Sequence, residues 1–169
     1  MKSLLFLCAA LILATTPAFA ASKSGACYSQ AQLQAEQILR LHSDLLVITL
    51  TCKIGSNGQD LPAAYGNFTK KNIRVLHDAE QTMIDYYRSK GPDPVGHLDH
   101  MRTLLANATT QKSADMGGAL PFCAQYRDKV WQFEALSPAD VQNEIQRMET
   151  SERSYQKLCS THISTGKGK

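Results

Sequence analysis

Residues 29–52 read SQAQLQAEQILRLHSDLLVITLTC and have the strongest helical pattern in the chain. Ser29 and Gln32 match the capping box that begins a helix, because each side chain can bond to the other residue's backbone N–H. Apolar side chains then recur at helical spacing, at Leu33, Ile38, Leu41, Leu45, Ile48 and Cys52. The second half is apolar on nearly every side, which is typical of a buried helix. We therefore predict a long helix at the centre of the fold.

Downstream, helix starts alternate with breaks. An Asp or Ser followed closely by Pro begins a helix, and Gly91 ends one. Residues 106–119 are small and polar and predict a loop or a frayed helical end. No stretch predicts a strand, so we expect an all-α bundle of four to five helices. After the first, the predicted helices are helix 2 over 60–90, helix 3 from Asp93, helix 4 from Pro121 and helix 5 from Ser137 through Cys159.

The first residues have the features of an export signal. Leu4 to Ala14 form an apolar run of eleven residues, followed by the small-x-small cleavage pattern Ala18-Phe19-Ala20. A spanning helix needs about 20 apolar residues, so this run is too short to cross a bilayer. We expect a soluble protein of the periplasm or the extracellular space, without a transmembrane segment. The predicted organisation is a cleaved signal peptide over 1–20, a single helical domain over 21–160 and a flexible basic tail over 161–169.

Four cysteines remain once the signal peptide is removed, and an even number in an exported chain predicts two disulfides. A helix from Cys27 to Cys52 would separate these two by about 36 Å. Disulfide-bonded Cα atoms lie within about 7 Å, so this pairing is excluded. If the first three helices run up, down and up, Cys52 meets Cys123, and Cys27 then pairs with Cys159. The second bridge requires a corner before helix 5, which must cross the base of the bundle.

Composition and motifs favour a protein that is not an enzyme. The formal net charge is only +3, which gives no reason to expect a nucleic-acid partner. The chain lacks HExxH, a Walker loop, GxGxxG and GxSxG, so no cofactor is expected. Ser154 and Lys157 match the SxxK spacing of penicillin-recognising enzymes, but the SDN and KTG motifs that accompany it are absent.

Metal binding is the alternative function. His97 and His100 are three residues apart, so on a helix they share a face, and Asp93 lies four residues before His97. These three side chains are the candidate metal ligands. A second, weaker set is His42, His77 and Glu80, at similar height on two helices. We expect His42 instead to be a neutral, hydrogen-bonded core residue, because burial disfavours its charged form.

The sequence thus predicts an exported, non-catalytic binding or accessory protein. Its partner, an unidentified protein or small ligand of the envelope, is expected to dock at an aromatic side chain that the core does not use. Trp131 is such a residue, because it lies off the apolar stripe of helix 4. A third possibility is an enzyme whose site is assembled from residues that no local motif reveals.

Overall fold

The computed structural model describes residues 27–53, 55, 58, 60–148 and 154–159. The predicted signal peptide and basic tail lie outside these residues. The described part of the chain contains seven helices and two very short strands. Their bounds are β1 (Cys27–Tyr28), α1 (Gln30–Cys52), α2 (Leu61–Lys71), α3 (Ile73–Arg88), α4 (Pro94–Asp115), α5 (Ala119–Tyr126), α6 (Lys129–Ala135), α7 (Pro138–Met148) and β2 (Lys157–Leu158).

Helix α1 is the centre of the bundle, as predicted. The predicted capping box is present: the Gln32 backbone N–H donates to Ser29 Oγ, and the Ser29 N–H donates to Gln32 Oε1 at 2.8 Å. Helix α1 packs chiefly against α3 and α4, and it also contacts α2, α5, α6 and α7. Leu41, Leu45 and Ile48 are almost completely buried in these contacts. The all-α fold is therefore confirmed.

The single helix predicted over 60–90 is wrong, because the chain forms two helices that meet at Asn72. The buried Asn72 side chain donates a 2.9 Å hydrogen bond to the Phe68 carbonyl. Such a side-chain bond competes with the helical backbone pattern. The break gives the halves different neighbours: α2 packs mainly on α6, and α3 on α1 and α4.

Helix α4 is longer than predicted, since residues 106–115 continue it. The small polar side chains are accommodated because hydroxyls bond back to carbonyls one turn earlier, as Thr110 does to Ala106. Thr109 is buried and also donates to Asp44 of α1. The helix stops where Gly117 and Gly118 adopt φ of +90° and +105°, a region that favours glycine.

The predicted helix 4 is also divided in two. The chain turns at Arg127 and Asp128, between α5 and α6. Phe133 of α6 then packs edge-on against Phe68 of α2, with ring centroids 6.5 Å apart. This aromatic contact belongs to the buried core that fixes α6 beside α2.

The C-terminal segment corrects two predictions. Helix α7 ends at Met148 rather than Cys159, and residues 154–159 are not helical. Strand β2 pairs in parallel with β1, Cys27 opposite Lys157, so the expectation of no strand is wrong. Tertiary bonds hold this segment: its end is disulfide-linked to Cys27, and the Tyr155 N–H donates to both carboxylate oxygens of buried Glu36.

Both predicted disulfides are present. Cys27–Cys159 and Cys52–Cys123 have Cα–Cα distances of 5.0 and 5.5 Å, within the usual range. They lie at opposite ends of α1. A helix break is present where the corner was predicted: α6 ends at Ala135, and the Ser137 hydroxyl accepts from the Asp140 N–H at the start of α7. Across the described residues, no helix combines the length and apolarity needed to span a membrane.

Candidate functional site

The structure does not assemble Asp93, His97 and His100 into a metal site. The Asp93 carboxylate accepts a 3.0 Å hydrogen bond from the Gly96 N–H and so caps α4. His97 is exposed and stacks on Tyr87, with centroids 5.6 Å apart; His100 is exposed too. Within the described ranges, no three His, Cys, Asp or Glu side chains are placed to hold a metal ion. Metal binding here stays a prediction without a complete ligand set.

The second set, His42, His77 and Glu80, is likewise dispersed. His42 Nε2 and the Tyr65 hydroxyl form a 2.7 Å hydrogen bond, and their rings are stacked. Burial, helped by the positive charge of Arg102, lowers the pKa of His42 to about 4. The predicted hydrogen bond of His42 is present, and the lowered pKa agrees with a neutral ring at this half-buried position. Glu80 accepts from Arg102 at 2.8 Å, and His77 is exposed.

The SxxK residues do not share a helix face. Ser154 and Lys157 lie in the non-helical C-terminal segment, with Lys157 exposed in β2. The Ser154 hydroxyl donates to the Gln156 carbonyl rather than to a base. The placement that would let a lysine activate a serine is missing.

A groove of about 230 Å³ lies between α2 and α6. Its α2 side is formed by residues spaced three, four and seven apart, which lie along one face of a helix. Its α6 side is formed by two residues three apart. The lining residues are Asp60, Ala63, Ala64, Asn67, Trp131 and Glu134. The groove is thus produced by the packing of α2 on α6, which the Phe68–Phe133 contact fixes.

Trp131 gives the groove its apolar surface. It is the only tryptophan of the chain, and it is half-buried, with part of the side chain packed against the core. Opposite it on α2, Ala63 and Ala64 present only methyl groups, which leave the space open. Trp131 is only partly outside the core, since the prediction expected a side chain that the core does not use and the structure packs it against the core.

Two carboxylates lie at different heights in the groove. Asp60 occupies the N-cap position of α2, yet its side chain makes no capping hydrogen bond there. Glu134 belongs to the other end, because the Lys71 ammonium at the C-terminus of α2 donates to the Glu134 and Leu136 carbonyl oxygens. Neither carboxylate forms an ion pair with another residue in the described part of the chain.

Two other depressions are poorer candidates. The cleft beside Asp44, Lys112 and Lys129 holds about 30 Å³, the volume of one water. Asp44 there is already bonded to Thr109 and lies 3.8 Å from Lys129 Nζ. A groove of about 170 Å³ between α1, α3 and α7 is lined by Ile38, Val75 and several small or polar side chains, without an aromatic. The groove at Trp131 is therefore the best-equipped concave surface among these.

Comparison of the chain with protein-family models, curated proteins and solved structures found no significant match. Sequence reasoning identified Trp131 but missed Asp60, Asn67 and Glu134. The spacing of Asp60, Ala63 and Asn67 marks one face of α2, but no local signal indicates that α6 lies beside that face.

Proposed function

We propose that the protein is an exported, non-catalytic binding or accessory protein that docks a partner protein in the groove between α2 and α6. The observation that carries this proposal is the groove itself, which is lined by the only tryptophan and by two carboxylates that lack ion-pair partners among the described residues. Tryptophan is enriched at the energetic centres of protein interfaces, whereas carboxylates are depleted there and belong to the polar rim.

The disulfides and the absence of a spanning helix in the described ranges are compatible with a periplasmic or extracellular location. The signal peptide and its cleavage after Ala20 belong to the same proposal. The N-terminal sequence of protein recovered from outside the cytoplasm tests them, with Ala21 as the expected first residue. Recovery of the uncleaved chain in the cytoplasm, with reduced cysteines, would contradict the location.

The docking face is tested by affinity capture from an envelope or secreted extract. The mature protein is compared with Trp131→Ala and with Leu120→Ala, which removes an 88% exposed apolar side chain from α5. We expect one specific partner to be retained by the parent and by Leu120→Ala, and lost with Trp131→Ala. Equal capture by all three proteins would overturn the choice of groove, and failure to capture any specific partner would count against the binding function.

Ala63→Leu supplies a second variant that does not alter the tryptophan. Ala63 is exposed, so a larger side chain fills the groove without entering the core. Partner capture should fall with Ala63→Leu while the circular dichroism spectrum and thermal midpoint stay those of the parent. Undiminished capture would place the interface elsewhere.

A further inference from the structure

The negative charge in the α2–α6 groove favours a positively charged ligand. Asp60 and Glu134 both line the groove, and its other polar groups are the Asn67 amide and the indole N–H of Trp131. Lys71 lies at the C-terminal end of α2, where the Glu134 and Leu136 carbonyl oxygens bind its ammonium group, and the Lys53 carbonyl accepts from the Leu61 N–H beside Asp60. Phosphate, carboxylate or an anionic membrane surface would meet two negative charges at this surface. A cation would be attracted.

The indole of Trp131 supports the same choice. Tryptophan is the best aromatic partner for a cation placed over its ring, since the ring face carries negative partial charge. A strongly hydrated ammonium and a weakly hydrated guanidinium differ here, because only the planar guanidinium both stacks on an aromatic ring and bonds in a fork to a carboxylate. The groove offers one indole and two carboxylates, which is the combination an arginine uses best.

The size of the groove limits the ligand to one side chain at a time. Sites for drug-sized molecules have volumes of about 300 to 1,000 Å³, and this groove has about 230 Å³ and is open to solvent along exposed Asp60, Ala63 and Asn67. A small molecule would keep much of its surface in water. A side chain presented by a protein gains further contact area around the groove, so a protein partner is favoured.

We infer that the groove binds an arginine side chain of the partner protein, with its guanidinium on the Trp131 ring and hydrogen-bonded to Asp60 or Glu134. The inference rests on the proposed function, since it names the chemistry of the partner that docks there. Asn67 provides an additional amide for the guanidinium or for the partner backbone next to it.

Because Trp131 is the only tryptophan, its fluorescence reports on this groove alone. The test titrates the mature, disulfide-bonded protein with a blocked Gly-Arg-Gly peptide. The controls are the matching peptides with citrulline, which is nearly isosteric but uncharged, and with lysine. We expect a saturable fluorescence change with a Kd on the order of millimolar for arginine, about tenfold weaker binding for citrulline, and intermediate binding for lysine.

Variants that neutralise the groove's carboxylates test whether these carboxylates contact the arginine. Asp60→Asn combined with Glu134→Gln should weaken binding of the arginine peptide by about fivefold, the size expected for partly exposed ion pairs. Asp99→Asn, which neutralises an exposed carboxylate on α4, should leave it unchanged. Raising the salt concentration should weaken binding to the parent, and it should have less effect on the double variant.

Three results would overturn the inference: no saturable change with the arginine peptide, equal binding of citrulline, or unchanged binding by the double variant. Lysine binding tighter than arginine would reject the guanidinium in favour of an ammonium. The proposed function is tested separately, by capture of the partner protein. If capture of the partner protein depends on Trp131 but not on Asp60 and Glu134, the docking groove stands and the arginine assignment is wrong.

Discussion

Glu36 is a completely buried carboxylate on α1, and it joins the two ends of the described chain. Both of its oxygens accept from the Tyr155 N–H, at 2.9 and 2.8 Å, and it forms an ion pair with Arg40 one turn later. A buried charge is tolerated only when it is paired and hydrogen-bonded. Its role at the residue scale is therefore to fix the C-terminal segment against α1.

We predict that Glu36→Gln destabilises the protein by about 3 kcal/mol, because it leaves the largely buried Arg40 charge without its partner. Urea unfolding of the disulfide-bonded protein measures the loss, and faster amide exchange at Tyr155 reports the loosened segment. The matched control is Asp85→Asn, which breaks the ion pair between Asp85 and Arg88. Both of these side chains are more than 60% exposed. Exposed pairs contribute little, so equal losses in the two variants would contradict this role of Glu36.

The low pKa of His42 predicts how the free energy of unfolding depends on pH. Burial, with Arg102 as the second cause, lowers its pKa to about 4 from an ordinary value of 6.5. Between these values the unfolded chain binds the proton more readily, so stability falls as the pH drops from 6.5 toward 4. Lowering the pH from 7 to 4.5 should therefore cost about 2.5 kcal/mol through this residue.

The control for this pH effect is His42→Gln, which can still bond to the Tyr65 hydroxyl but does not titrate. Unfolding free energies of the two proteins are compared at pH 7 and pH 4.5. On lowering the pH, the free energy of unfolding of His42→Gln should fall by about 2.5 kcal/mol less than that of the parent. An identical loss in both would show that His42 protonates as easily in the folded protein as in the unfolded chain.

The capping carboxylate at the start of α4 restricts which residue can occupy position 96. A Cβ at Gly96 would lie 2.1 Å from Asp93 Oδ2, so any side chain there displaces the capping carboxylate. Gly66, inside α2, has no atom within 4 Å of such a Cβ. The two glycines are therefore present in helices for different reasons.

We predict that Gly66→Ala raises stability by about 0.5 to 1 kcal/mol, the usual gain in helix propensity. Gly96→Ala should bring no gain, since losing the cap costs about 1 kcal/mol and cancels it. Thermal midpoints measure both effects. In an Asp93→Ala background Gly96→Ala should become stabilising; if it already stabilises the parent as much as Gly66→Ala does, Asp93 does not cap α4.

Helix starts could be predicted from the sequence because capping is local, as Ser29, Asp93 and Ser137 show. The places where helices break could not be predicted, because they depend on partners far away in the sequence. Asn72 breaks a helix at a site that the core buries, and residues 154–159 leave the helical conformation because Glu36, 119 residues away from Tyr155, holds them.

Across the molecule, the length of α1 excludes one of the three disulfide pairings, and the assumption that the first helices run up, down and up selects the observed one from the other two. The groove could not be predicted, because its two sides come from helices whose packing no local pattern reveals. Trp131 was recognisable as a residue outside the core stripe, whereas Asp60 and Glu134 look like ordinary exposed carboxylates until α2 and α6 are seen together.

We propose the groove between α2 and α6 as the binding surface of the protein. A ¹H–¹⁵N correlation spectrum of the mature protein, titrated with the blocked Gly-Arg-Gly peptide, tests it most directly because the single indole gives a single side-chain signal. We predict saturable shifts of the Trp131 indole and of the Ala63 and Asn67 amides, with the His97 and His100 amides unmoved. An unmoved indole signal, or shifts centred on His97 and His100, would contradict the claim.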